Sequence, residues 1–139
     1  RFGDCRRLIS GRTALMNEYH GFISRLSSEL APGSLIIDCH SFPSDLADID
    51  ICIGYNDDAS KPEQEMIDKA THLFDRAGFK VGLNNPYSNS ITPKKPIDYK
   101  SLMIEVNKRC YMNEGTLART VGYDIISGLV NDFYRLVLA

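Results

Sequence analysis

The sequence predicts an α/β domain, with helices packed on a central mixed, mostly parallel sheet. Two observations point there. Short β-branched runs that end in polar residues alternate with longer segments whose apolar residues recur at helical spacing. The resulting order is helix, strand, strand, helix, strand, strand, helix, with no repeat or low-complexity stretch between.

The first helix is expected over Gly11 to Leu30. Leu15, Met16, Tyr19, Phe22, Ile23, Leu26 and Leu30 form its apolar stripe, and Pro32-Gly33 stops it. Ser34 to His40 reads as a buried strand. A loop holding Pro43, Asp45 and Asp48 leads to a second strand, Ile49 to Gly54, with Asp50 near its start. Ser60 and Pro62 are placed to cap and open a second helix. Its stripe is Met66, Ile67, Ala70, Leu73, Phe74 and Ala77, and Gly78 ends it. Phe79 to Leu83 is expected as a third strand and Ser101 to Val106 as a fourth. The Pro-, Asn- and Ser-rich connection from Asn84 to Tyr99 is longer than most loops, and such loops are functional or disordered. A last helix is expected from Thr116 to Leu138, burying Leu117, Val121, Ile125, Leu129 and Phe133.

Composition narrows the classes. At 139 residues the chain holds one real core, and 43% hydrophobic with 24% charged residues is a globular profile. A net charge of −2 offers no basic patch for nucleic acid, and Lys94, Lys95 and Lys100 read as a solvated loop. No apolar run approaches a membrane span. Cys5, Cys39, Cys52 and Cys110 lack CxxC or disulfide spacing. Cys39 and Cys52 lie in apolar runs and are expected to be buried reduced thiols, which points to the cytoplasm.

Three places carry candidate chemistry. In Asp38-Cys39-His40-Ser41, strand alternation puts Asp38 and His40 on one face and Cys39 on the other. His40 is there either a metal ligand oriented by a carboxylate or a hydrogen-bonded loop histidine. Glu105 lies between large apolar neighbours. It is either a buried carboxylate with its pKa raised, suited to a general base, or an edge residue facing solvent. The loop Asn84 to Ser90 offers amides and hydroxyls for a polar substrate, or simply turn chemistry. Asp50 opens a strand as a catalytic, supporting or capping residue, and His72, mid-helix beside the buried stripe, is expected as a surface or packed histidine. Neither a phosphate-binding glycine loop, a nucleophile elbow nor an HExxH pair occurs.

These residues resemble the N-formylglutamate amidohydrolase family. Ile37 to Pro43, Asp50 to Gly54, Asn85 to Ser88 and Ile104 to Met112 match its motifs in order, and Tyr19-His20 has a counterpart on its first helix. The resemblance implies a phosphorylase/hydrolase-like fold of the zinc-exopeptidase type and a cytoplasmic enzyme of amino-acid catabolism. The implied substrate is a small N-acyl amino acid such as N-formylglutamate, with Zn2+ as cofactor. It makes His40 a zinc ligand and Glu105 the base that activates the attacking water. Asn85, Asn107 and Arg109 would hold substrate carboxylates, with Asp38, Asp50 and His20 in support.

The family's first metal-binding segment, a histidine with an acidic residue, has no match here. The expectation is therefore one domain, residues 1–139, lacking an upstream segment, with further ligands from His20, Asp50 or a longer protein. Ser88-Asn89-Ser90 replaces a glycine pair common in the family's substrate loop, which bears on the substrate. The alternative is a non-catalytic small-molecule-binding or interaction module with an incomplete metal site. Neither nucleic acid nor membrane is expected as a partner, and homo-oligomer formation is open.

Overall fold

The structure, a computed structural model, describes the backbone of residues 3–138 and the side chains of residues 11–138. Its elements are α1 (Gly3–Glu29), β1 (Ser34–Phe42), β2 (Ile51–Tyr55), α2 (Gln64–Arg76), β3 (Val81–Leu83), β4 (Tyr99–Asn107), a single 3-10 turn (Lys108–Cys110) and α3 (Gly122–Leu138). The four strands form one sheet in the order β1-β4-β2-β3. β1 runs parallel to β4 and β2 parallel to β3, whereas β2 runs antiparallel to β4. The expected mixed, mostly parallel α/β sheet is the one observed.

The pleat divides the sheet into two faces. Ile51, Ile53, Leu102, Ile104 and Val106 project to one side and form the main core with Ile67, Ala70 and Phe74 of α2 and Ile126 and Phe133 of α3. On the other face lie two smaller clusters. Phe42, Ile49, Cys52 and Met103 form one, and Leu30, Ile36 and Tyr99 the other. Asp38, His40 and Glu105 share that second face, since paired residues of a ladder project together.

Two glycines let the second face accept a close-packed loop. A Cβ on Gly54 would run into the Met103 side chain and stand 3.0 Å from the Asn89 carbonyl. One on Gly82 would stand 2.8 Å from the Asn85 carbonyl. Gly54 and Gly82 thus bring the segment after β3 down onto the sheet.

Several expectations need correction. The first helix starts at Gly3, and of its stripe only Leu30 is buried; Leu15, Met16, Tyr19 and Phe22 are exposed. Periodicity shows which residues share a face, but not that a partner covers it. The last helix starts at Gly122, because Asn113 to Ala118 closes into a turn: Asn113 N donates to Ala118 O and Leu117 N to Asn113 O. Its buried stripe is accordingly Ile126 and Phe133, flanked by Leu129, Val130 and Val137, while Leu117, Val121 and Ile125 are exposed. β4 begins earlier, at Tyr99, and β2 and β3 both begin two residues later than expected.

The α2 N-terminus also differs. Glu63 precedes its first turn without a side-chain cap, and Ser60 instead accepts from Asn56 Nδ2 and donates to Asp58. Cys39 is exposed, since β1 lies at the sheet margin, whereas Cys52 is fully buried as expected. Lys95 is no solvated loop lysine. Its ammonium donates to the Ser27 and Leu30 carbonyls at the end of α1. Among the described residues no helix is long and apolar enough to cross a membrane.

The revised stripe of α3 is checked by substitution. Phe133→Ala should destabilise the chain by about 3–5 kcal/mol in urea unfolding, whereas Val121→Ala should change stability by less than about 0.5 kcal/mol. Equal effects at both positions would restore the original stripe.

Candidate active site

β1 and β4 run side by side over nine residues, Ser34↔Tyr99 through Phe42↔Asn107. That register sets His40 opposite Glu105 and Asp38 opposite Met103. On the far side of β4, Cys52 of β2 faces Glu105. Glu105 is therefore an interior-strand residue, only 7% exposed, which excludes the solvent-facing edge reading.

Its Oε2 is buried and has no hydrogen-bond partner among the described residues. Burial raises the Glu105 pKa above the usual carboxylate range; His40 opposes the shift and the Asp38 charge adds to it. A buried carboxyl oxygen without a partner is uncommon; Glu105 stands beside His40 in the ladder but is not among the residues lining the His40 cavity.

Asp38 holds His40. The His40 Nε2 stands 2.6 Å from Asp38 Oδ1, which leaves Nδ1 as the free ring nitrogen. The second Asp38 oxygen accepts from Ile91 N at 3.2 Å and so ties the histidine to the loop after β3.

That loop is ordered by its own bonds. Asn84 Oδ1 accepts from Tyr55 N, Cys52 Sγ donates to Tyr87 O, and Ser90 N donates to Asn56 Oδ1. Ser90 and Ser101 hydroxyls meet at 2.7 Å. The Asn85–Pro86 bond is cis. Asn85 itself is exposed. A cavity of about 510 Å3 opens between this loop, the sheet and α1, lined by Asp38, His40, Ser88 to Pro93, Met103, Tyr19 and His20. His20 of α1 lines the same cavity as His40.

The remaining expected site residues do other work. Asn107 is fully buried: its amide donates to Ile49 O at 2.8 Å, and its oxygen accepts from Arg109 N. It fastens the segment before β2. Arg109 donates to Asp50 rather than standing free, through Nε at 3.0 Å and Nη2 at 2.9 Å, both to Oδ1, with weaker contacts to Asp48. Asp50 also accepts from Lys80 N. Burial pushes the Asp50 pKa up, but the bonds from Lys80 and Arg109 outweigh it and hold the carboxyl below its ordinary value. Beside it, burial and the Asp50 charge drive the Cys110 thiol up to about 12, so it stays protonated. Neither Asn107, Arg109 nor Asp50 lines the His40 cavity.

The ordering role of Ile91 N and Ser90 was not anticipated. Main-chain groups leave no trace in composition, and only the fold brings Ile91 to Asp38.

Comparison with known proteins bears directly on this arrangement. The model of the N-formylglutamate amidohydrolase family matches residues 11–112, which contain Asp38, His40, Glu105 and the whole 84–91 loop. The chain belongs to that family. No curated protein matches the sequence. Among solved structures, the crystal structure of an N-formylglutamate amidohydrolase from Ralstonia eutropha is similar, with a TM-score of 0.59 at 22% identity. The similarity covers 91% of this chain and 47% of that one, so this chain spans about half the length of that relative. At that identity the likeness speaks for the fold.

Two outcomes test the site as drawn. Because the Glu105 pKa is raised, the stability it lends below the ordinary carboxylate range is lost as pH rises through the folded value. Glu105→Gln should therefore raise Tm at about pH 8, by an amount that fades toward about pH 4. A pH-independent difference would mean that the carboxyl is solvated. Asn107→Ala leaves the Ile49 carbonyl without its donor and should lower stability by about 1–3 kcal/mol in urea unfolding; a smaller loss would return Asn107 to the solvent-facing residues.

Proposed function

We propose that this chain carries the base and one metal-ligand position of an amidohydrolase that cleaves the formyl amide of N-formylglutamate or a related N-acyl amino acid. The observation that carries the reading is the buried, unpartnered Glu105 Oε2, in register with His40 and inside the family-matched segment. The zinc-exopeptidase type of fold is part of the same reading, and the mixed sheet with its antiparallel β2 supports it.

Glu105 takes a proton from the attacking water. Its raised pKa makes the carboxylate a better base, and the acid formed then protonates the leaving amine. The Asp38 carboxylate fixes the His40 ring and, through Ile91 N, the loop wall of the cavity. Asn85, Ser88 and His20 are the groups placed to meet a polar substrate, being exposed in the loop or lining the cavity. Arg109 and Asn107 serve instead as ties for Asp50 and for the segment before β2.

Zinc is the cofactor of this reading, with His40 as a ligand. A catalytic zinc takes three protein ligands. Among the described residues no three His, Cys, Asp or Glu side chains come close enough to hold a metal ion. The described residues do not by themselves make a complete zinc site; the second reading is a binding or interaction module on the same fold.

Elemental analysis of the purified chain should find well under one zinc per chain, and His40→Ala should remove what does bind. With excess zinc the chain should release formate from N-formylglutamate, and Glu105→Gln should slow release by about 10²–10⁴-fold. Unchanged release in that variant overturns the role of Glu105. No release from the parent chain supports the second reading.

A further inference from the structure

Asn56 follows directly on β2 and is only 6% exposed. A buried side-chain amide needs partners for its oxygen and for its N–H groups. Asn56 finds them on two segments. Its Nδ2 donates to Ser60 Oγ at 3.0 Å and to the Ser90 carbonyl at 3.3 Å, and its Oδ1 accepts from Ser90 N at 3.1 Å. The amide thus pairs with both main-chain groups of Ser90, as a neighbouring strand would. Turning it over would set N–H against N–H and oxygen against oxygen, so its orientation is fixed. Ser60 is fastened in its turn: its carbonyl accepts from Ser101 N on β4, and its hydroxyl donates to Asp58.

The Ser90 carbonyl belongs to the same planar peptide unit as Ile91 N. Asn56 holds one end of that unit, and the other end donates to Asp38 Oδ2 at 3.2 Å. Asp38 Oδ1 in turn stands 2.6 Å from His40 Nε2. Released at its carbonyl end, the peptide plane can turn about its flanking φ and ψ bonds, which takes its N–H away from the carboxylate. We propose that Asn56 is a positioning residue for His40, acting through the Ser90–Ile91 peptide and Asp38. It acts from outside the cavity, whose lining includes Ser90, Ile91, Asp38 and His40 but not Asn56. Ser101 donates to Ile91 O at 2.7 Å, a bond that fixes the next peptide and not the one facing Asp38. The consequence for hydrolysis rests on the proposed function; the placement of the ring does not.

Asn56→Ala removes the grip. Hydrogen exchange followed by NMR reads the Ile91 amide, and nitrogen NMR shifts at mildly alkaline pH read which His40 ring nitrogen carries the proton. In the parent chain that nitrogen should be Nε2, which faces Asp38; Asp38→Ala supplies the state of a ring without its carboxylate. In Asn56→Ala the Ile91 amide should exchange about tenfold faster or more. The His40 ring should move toward its Asp38→Ala state, while the amides of β4 and α2 stay as protected as before. An unchanged Ile91 amide overturns the proposal, and so does a ring that keeps its state while Ile91 exchanges fast. Protection lost equally over β4 and α2 also overturns it, because Asn56 would then only support the fold. Should Asn56→Ala not fold, Asn56→Asp carries the same test, since it keeps the shape and the acceptor and removes both donors. Neither readout uses zinc or hydrolysis. A parent chain that releases no formate therefore counts against the proposed function and leaves the placement of His40 standing.

Discussion

Glu105 meets His40 because β1 and β4 run parallel in unbroken register, and every other feature of the site hangs from that ladder. Shifting it by one residue would turn Glu105 into the apolar face occupied by Ile104 and Val106, and would take it away from His40. Hydrophobic burial protects the register from one side, through Leu102, Ile104 and Val106 against α2 and α3. On the other side the ladder is anchored at its ends, by Ile36 with Tyr99 and by Phe42 with Met103. The polar residues of the site occupy the middle of a strand pair whose flanks are apolar.

One Glu105 oxygen remains without a partner among the described residues, and burial shifts the group toward its neutral form. A short distance along the chain, Asp50 shows the opposite solution. Arg109 and the Lys80 amide surround it, and it stays ionised. The contrast separates the two carboxylates physically: one is a neutralised tie between β2, β3 and the end of β4, while the other keeps an unmet capacity for a proton.

The loop after β3 connects these parts. It lacks helix and strand from Asn84 to Asp98, yet Asn56, Cys52, Asp38 and Ser101 each bond to it. Lys95 further pins it to the end of α1. Its bonds run to β1, β2 and β4, which hold the cavity wall on the sheet beneath.

The amino-acid sequence by itself determined the element types, the α/β class and the family, because hydrophobic period, glycine stops and motif order are local properties. It also singled out Glu105 and the shared face of Asp38 and His40, since strand alternation depends on nothing beyond the strand. Tertiary structure decided the rest. Whether Leu15 or Val121 is covered depends on which element packs there, and periodicity contains no partner. The Arg109 fork could close on a substrate or on Asp50, and the two are indistinguishable until β2 and the end of β4 are brought together. That Glu105 is interior rather than marginal follows from strand order, which long-range pairing alone settles.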